Sequence, residues 1–575
     1  MWIAVDTRFL ARLLLALMQN FNYKNMKTYI KYSLAIAVLT MTTVTSCKKE
    51  FFDRPPQSSI TLDNFYKTAE QVSSSTNILY SAAWFGWVTK GGWAITEMAG
   101  GNGRSYSSDV ANFGNFSVTD GNSELANAYN SLWIVVAQSN AIINNLPAKV
   151  PAAVDRKVVN QALGEARLFR ALSYFHLVRL FGNVPIIENT LDYVENFQVN
   201  TNPVADVYKF ILNDLKFAEA NLIPQVRSGN SLAQGRVSSG SATALLAKVY
   251  LYMQDYTNAR AAAEKVISSG EFKLYGVDVP GKEFKDLFLT ANNNNEESVI
   301  ALQWAGAGGY GKGNPLQASW AANTSITGTG DGYGVLGVTF DALFAFQQDD
   351  KRFKPTIMVT GANYPEINQA AGGYTHQANQ GQGTSAFVKK YVVGTPADNG
   401  GIGSAQSSAN NTYMMRYAEV YLILAESIMG TARSSSDPQA LAAINKIRTR
   451  AGLGNLTQIR RGYFTPNTAP GKPANAPAQY YRDDILEERR RELMFEFDYW
   501  FDLARLDGYN VSSHPNAITI INQQDRGAGD NSVPSNSYGN GYYVMTNSKF
   551  LFPFPATEVA SNPKLIQPPV PYVFK

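Results

Sequence analysis

Ser241-Ala242-Thr243-Ala244-Leu245-Leu246-Ala247-Lys248-Val249-Tyr250-Leu251-Tyr252-Met253, followed almost at once by Tyr256-Thr257-Asn258-Ala259-Arg260-Ala261-Ala262-Ala263, decides the fold. Ala244, Ala247 and Tyr250 recur every three residues, and Tyr256, Ala259 and Ala263 every three or four. That spacing places each set on one helix face. Small side chains let two helices approach closely while an aromatic ring fills the remaining gap, the pattern of a tetratricopeptide-type pair. A helical hairpin is therefore expected from Ser241 to Met253 and from Tyr256 to Ser269.

Two more hairpins stand on either side. The first joins Tyr129 to Leu146 with Val158 to Phe181, whose apolar face is Leu163, Ala166, Leu168, Ala171, Tyr174, Phe175 and Val178. Gly182 and Pro185 end it. The other joins Tyr413 to Met429 with Pro438 to Ala451, where Ala418, Tyr421, Ala425, Ala440 and Ile444 repeat the pattern. Their uneven spacing predicts separated repeat-like units rather than a continuous solenoid. A further helix, Arg482 to Leu506, is strongly charged on one face, and Val299 to Trp304 reads as a short strand. The expected class is mainly α: a tetratricopeptide-like helical hairpin scaffold over about 125–275 and 410–506, with a few short strands. Long irregular loops cover about 84–121 and 299–411, and loops of that length in an ordered domain usually carry function.

The N-terminal region reads as an address. Met26 to Lys31 is a short basic segment, and Ser33 to Val44 is apolar. That run fits the ~7–15 residues of a signal core and falls short of the ~20 that span a bilayer. Small residues then precede Cys47, the only cysteine. Residues 1–46 are expected as a lipoprotein signal, with translation starting at Met26. Cys47 is the expected lipidation site and residues 48–58 a short tether, so that 59–575 form a single domain held to a membrane by acyl chains. With Cys47 acylated, no disulfide is available. Losing 1–46 removes five basic residues and one acidic residue and takes the quoted charge of +4 to about zero. A nucleic-acid binder carries a basic surplus, so that class is excluded. Downstream of Cys47 no stretch is long and apolar enough to cross a membrane.

Five segments together are similar to the SusD/RagB family of outer-membrane nutrient-binding lipoproteins. They are Gly164 to Ala171 through Leu180 to Pro185; Gly235-Arg236-Val237 through Ala244 to Tyr252; Arg416 to Glu426; Ile485 to Leu493 with Trp500 to Leu503; and Phe552 to Pro555 with Glu558, Asn562, Pro563 and Gln567. The stretch Cys47 to Phe51 also resembles the family's lipidated start. The resemblance implies a tetratricopeptide-like scaffold at the cell surface, anchored in the outer membrane. It implies a partner as well, a SusC-like TonB-dependent barrel transporter over which the lipoprotein sits as a lid. It carries over no ligand residues, because the family's shared segments are scaffold.

The ligand residues are read from the loops themselves. Trp84, Phe85, Trp87 and Trp93 crowd among glycines, with Asn102, Arg104 and Asp109 beyond; the second loop region holds Trp304, Tyr310, Trp320 and Tyr333. A sugar ring offers an apolar face to aromatic platforms and a hydroxyl rim to amides, carboxylates and guanidinium groups. Trp84, Trp304, Trp133 and Trp500 fall in apolar patterns and are expected in the core. Trp87, Trp93, Tyr310 and Trp320 have glycine or polar neighbours and are expected at the surface. With Tyr333, Asn102, Arg104 and Asp109 they make up the expected glycan site.

Residue types that could carry catalysis are present but point elsewhere. Glu419 with Glu426, and Glu487, Glu488, Glu492 and Glu496 beside Arg489, Arg490 and Arg491, are carboxylates on scaffold helices, better suited to ion pairs than to hydrolysis. His176, His376 and His514 are too dispersed for zinc. Gly332-Tyr333-Gly334-Val335-Leu336-Gly337 matches a nucleotide-loop pattern but lacks the preceding strand and is read as loop glycine. Asp349-Asp350 lacks calcium-loop spacing. No cofactor is expected; calcium is the one candidate, without support in the sequence. The expected function is capture of an oligosaccharide or polysaccharide nutrient for a barrel transporter. Peptide capture on the same scaffold is the alternative, and a surface glycan hydrolase a remote one.

Overall fold

The computed structural model describes residues 65–574 apart from 226, 228–234, 381–384, 467–477, 508–516, 528–544 and 547–549. The expected signal, Cys47, the tether and His514 lie outside the described residues.

Among the described residues a row of seven helices packs in chain order: α1 (Ser123–Lys149), α2 (Arg156–Phe181), α3 (Val204–Asn221), α4 (Ser239–Tyr252), α5 (Tyr256–Ser269), α6 (Tyr417–Met429) and α7 (Pro438–Arg450). Local chemistry sets their ends. Asn122 Oδ1 accepts from Leu125 N–H at 2.9 Å to open α1, Asp155 caps α2, and Ser238 with Ser241 forms a capping box on α4. Each cap satisfies an N–H that has no partner inside the helix. Gly270, at φ 67°, closes α5 in the left-handed conformation that glycine adopts without strain.

The hairpins are not separated units. α3, which the hairpin pattern left out, lies against both α2 and α4, and α5 packs directly on α6. The long insertion between α5 and α6 leaves the row of helices unbroken. Asp214, buried on the inner face of α3, explains how the row tolerates charge there: it receives Arg170 Nε at 2.7 Å and Arg170 Nη2 at 2.8 Å.

Two expected boundaries shift. Tyr413 lies in a strand, Thr412–Arg416, paired antiparallel with Ser298–Leu302, and α6 begins only at Tyr417. The Arg482 to Leu506 segment starts inside the strand Gln479–Asp483 and is broken into α8 (Asp484–Leu493) and α9 (Tyr499–Asp507). The break holds Phe495 and Phe497 at φ 63° and 68°, conformations no helix permits. The buried Glu97 carboxylate explains it, accepting the backbone N–H of Phe495 at 3.1 Å and of Phe497 at 3.0 Å.

The charges of α8 face inward. Arg352 reaches Glu488 at 2.7 Å and Asp350 at 2.8 Å; Arg416 reaches Glu297 at 2.6 Å, Glu492 at 2.8 Å and Glu496 at 2.6 Å. A second group joins Glu419 to Arg489 at 2.8 Å and Glu426 to both arms of Arg505 at 2.6 and 2.7 Å. Burial alone would push these carboxyls up, but the guanidinium partners outweigh it and hold both Glu426 and Glu488 down at about 2. These acids are ion-pair members of the scaffold, as expected, but their partners lie mostly on other elements rather than one helical turn away.

A small antiparallel sheet of two-residue strands then ties the expected ligand regions together. Its order is Gly103–Arg104, Gly337–Val338, Phe387–Val388, Ile357–Met358. The first strand belongs to the N-terminal region and the others to the insertion, so backbone pairing sets the two regions side by side.

Candidate functional site

The first of those regions is not a loop at its start. Ala82–Trp84, Trp87–Gly91 and Ala94–Met98 form a nearly unbroken run of tight and wide helical turns, the latter two π-helical, a form that often marks functional sites. The glycines explain the packing. A Cβ on Gly91 would lie 2.5 Å from the Glu124 carbonyl oxygen and 2.7 Å from the Ala128 Cβ, and one on Gly86 3.0 Å from the Asn127 carbonyl oxygen. Their bare face therefore rests directly on α1. The rest of the run divides accordingly: Trp84, Trp87 and Val88 turn inward, while Phe85, Thr89 and Lys90 remain partly exposed.

This overturns part of the expected site. Trp87 and Trp93 have no exposed surface. Trp87 lies 4.7 Å from the His176 ring, and Trp93 Nε1 donates to the Thr89 carbonyl oxygen at 2.8 Å. The glycines beside them, which suggested a surface loop, serve close helix packing instead. Trp320 is also fully buried, among Tyr391, Phe495 and Phe497. Asn102 is buried too; its amide donates to Glu97 at 2.8 Å and its oxygen accepts from Arg490 at 2.8 Å. Burial pushes Glu97 up to about 7 against these hydrogen bonds. Trp84, Trp304 and Trp500 are core, as expected, and Trp133 is half-buried. His176 is packed in the core, where burial drives it well below its ordinary range.

What remains exposed converges. Tyr310 is 65% exposed and Tyr333 50%. Both line one open cleft of about 570 Å³ with Phe85, Thr89, Lys90, Glu124, Asn127, Ser319, Val335 and Gln406. Phe85 lies edge-on to Tyr310 at 4.8 Å and to Trp304 at 6.4 Å, so the exposed ring stands on a ladder rooted in the core. Tyr333 is held out by backbone: its N–H donates to the Ala318 carbonyl at 2.8 Å, and the following Gly334 donates to Ala321 at 2.9 Å. Gly332 permits this approach, with φ 107° and no room for a Cβ, which would meet the Asn323 carbonyl oxygen at 2.4 Å. That is the physical content of the glycine pattern around Tyr333.

Asp109 and Arg104 stand apart from the lining. Asp109 receives Lys90 Nζ and Ser107 Oγ, and its own carbonyl accepts from Asn122 at 3.0 Å. Partial burial pushes its carboxyl up, but the Lys90 and Ser107 contacts prevail and leave it below the usual range. Arg104 lies 4.6 Å over the ring of exposed Tyr106. Phe85, Thr89, Lys90, Glu124, Asn127, Ser319, Val335 and Gln406 lie outside the set expected from sequence. A signal for some of them existed: Phe85 and Thr89 are four apart, and Glu124 and Asn127 are three apart at the polar start of α1. Among the described residues no three His, Cys, Asp or Glu side chains gather to hold a metal. The Asp350 carboxylate is occupied by Arg352.

A model of the SusD family matches residues 280–571. The chain belongs to the SusD family. A second model, described as starch-binding associating with outer membrane, matches residues 50–251. Relatives extend the SusD match along the whole length. A SusD-like protein of Bacteroides ovatus is 29% identical over 583 residues, covering 96% of this chain and 100% of the relative. One from Formosa agariphila is 25% identical, covering 93% and 98%. A solved structure with xylogluco-oligosaccharide is 28% identical, with a TM-score of 0.75, covering 88% of this chain and 99% of that one. The SusD-like fold accounts for the row of helices, and the irregular insertion supplies the wall of the cleft formed by Tyr310, Ser319, Tyr333, Val335 and Gln406.

Proposed function

We propose that this SusD-family protein captures an oligosaccharide or polysaccharide in the cleft between Phe85–Lys90 and Tyr310/Tyr333, without cleaving it. One observation carries the reading: two exposed tyrosines project into an open cleft whose other walls hold an ammonium, a carboxylate and amides. Rings engage the apolar sugar face and the polar groups engage its hydroxyls. The relative with a bound xylogluco-oligosaccharide supports the same chemistry. Glu124 is the one carboxylate among the described lining residues, whereas hydrolysis of a glycosidic bond ordinarily uses two.

Isothermal calorimetry against a glycan panel tests this. Tyr310→Ala and Tyr333→Ala are expected to weaken binding, and unchanged binding in both removes the site. The peptide alternative draws support from one feature, the burial of Trp87, Trp93 and Trp320, which leaves fewer stacking surfaces than the sequence suggested. Tighter binding of peptides than of any glycan in the same panel would favour it.

The family and the outer-membrane description of the second model support surface anchoring through Cys47 and hand-over to a SusC-like TonB-dependent barrel. Cys47→Ala is expected to release the protein from the membrane fraction, and retention would contradict the anchor. Co-purification of a barrel with the wild-type protein tests the partner.

A further inference from the structure

We infer that the cleft selects neutral oligosaccharides and rejects uronate- or sulfate-bearing ones, an inference that rests on the glycan reading above. The argument is the disposition of charge. Lys90 is the one cation among the described lining residues, and its ammonium is engaged by Asp109 just outside the cleft. That carboxylate is itself fixed by Ser107 Oγ, and its backbone carbonyl by the amide of Asn122, the cap of α1. Lys90 thus presents its remaining N–H groups to the cleft as donors, with its charge already compensated. On the adjacent wall stands the Glu124 carboxylate, which among the described residues accepts a hydrogen bond from the neutral amide of Asn127 at 3.2 Å. The lining, with Asp109 behind Lys90 and Asp331 behind the Gln406 N–H, therefore holds one cation and three anions. Lys312, two positions beyond Tyr310, is exposed but does not line the cleft.

A carboxylate or sulfate entering this space meets Glu124 without an unpaired cation to compensate it. A vicinal diol meets complementary partners instead: Lys90 donates to one hydroxyl oxygen, Glu124 accepts from another, and Asn127 and Gln406 can do either. Asp109 is here a positioning residue, acting through Lys90.

The test is calorimetry at low and at 0.5 M salt with length-matched probes: xyloglucan and laminarin oligosaccharides as neutral ligands, oligogalacturonates and sulfated galactan oligosaccharides as anionic ones. A neutral probe is expected to bind more tightly than every anionic one in the wild type. Asp109→Asn and Glu124→Gln are each expected to raise the anionic-to-neutral affinity ratio by about fivefold, the scale of one exposed charge pair, and added salt should shrink that gain. A structural defect in either variant would weaken both classes together and leave the ratio unchanged, which overturns the inference. So does an anionic probe that binds the wild type as tightly as the neutral ones. If neither class binds, the reading of the cleft itself falls, and this inference with it.

Discussion

Between α8 and its neighbours, Arg352, Arg416 and Arg489 have no exposed surface, and each is surrounded by carboxylates. In the cleft, Tyr310 and Tyr333 stand largely in solvent while the wall charges are few. Ion pairs brace the scaffold from inside, beside the buried tryptophans, while these two rings stand at the surface. Buried pairs that share partners satisfy the guanidinium groups of Arg352 and Arg416, which offsets desolvation that an isolated pair would not survive. Exposed rings cost the free protein apolar surface in water, a cost that is recovered when a ligand covers them. On the proposed reading, rigidity and recognition fall to different chemistries in different places.

The sharpest way to break this contrast is to remove a central cation. Arg416→Met should destabilise the fold by about 3–5 kcal/mol in urea unfolding, because Glu297, Glu492 and Glu496 lose a shared partner. Trp87→Ala should cost a similar ~3–5 kcal/mol by opening a cavity beneath the cleft. If Trp87→Ala instead spares stability and abolishes glycan binding, the tryptophan is a platform and the burial argument fails.

A pH series sharpens the scaffold side. The folded Glu426 carboxyl sits at about 2, below its unfolded value. Its contribution is therefore present above the unfolded pKa of ~4.5 and lost as pH falls through the folded value. Glu426→Gln should be less stable than wild type by roughly 3 kcal/mol at pH 7. The difference should close as pH drops towards 2, where the protonated acid resembles the amide. A constant difference across that range would show that Arg505 does not depend on the charge.

The smallest expected effect lies in the cleft. Tyr310→Ala should cost about 0.5–1.5 kcal/mol of binding, as a lost aromatic contact does. It should change folding stability by less than about 0.5 kcal/mol, as exposed substitutions do. Loss of stability on the scale of Trp87→Ala would mean that the ring belongs to the core.

The row of helices was readable because helix faces repeat. Ala244, Ala247 and Tyr250 announce a packed face however the rest of the chain runs, and Gly182 or Gly270 announce its end. The same periodicity runs through α3, at Val207, Ile211, Leu215 and Ala218, but Asp214 interrupts that apolar face, and its burial depends on Arg170, a contact that sequence does not reveal. The break between α8 and α9 had no local signal, because it depends on Glu97, hundreds of positions away.

The exposed rings at Tyr310 and Tyr333 were legible from their glycine neighbours, yet the same cue misled at Trp87 and Trp93. A glycine beside an aromatic residue says that backbone must turn or approach something closely. It does not say whether the object approached is solvent, a ligand or another helix. Sequence by itself determined the helical scaffold and the kind of side chain available for recognition, since both follow from spacing and chemistry along the chain. Only the tertiary structure decided which aromatics face outward and which charges compensate one another, since those outcomes depend on contacts between segments far apart in the sequence.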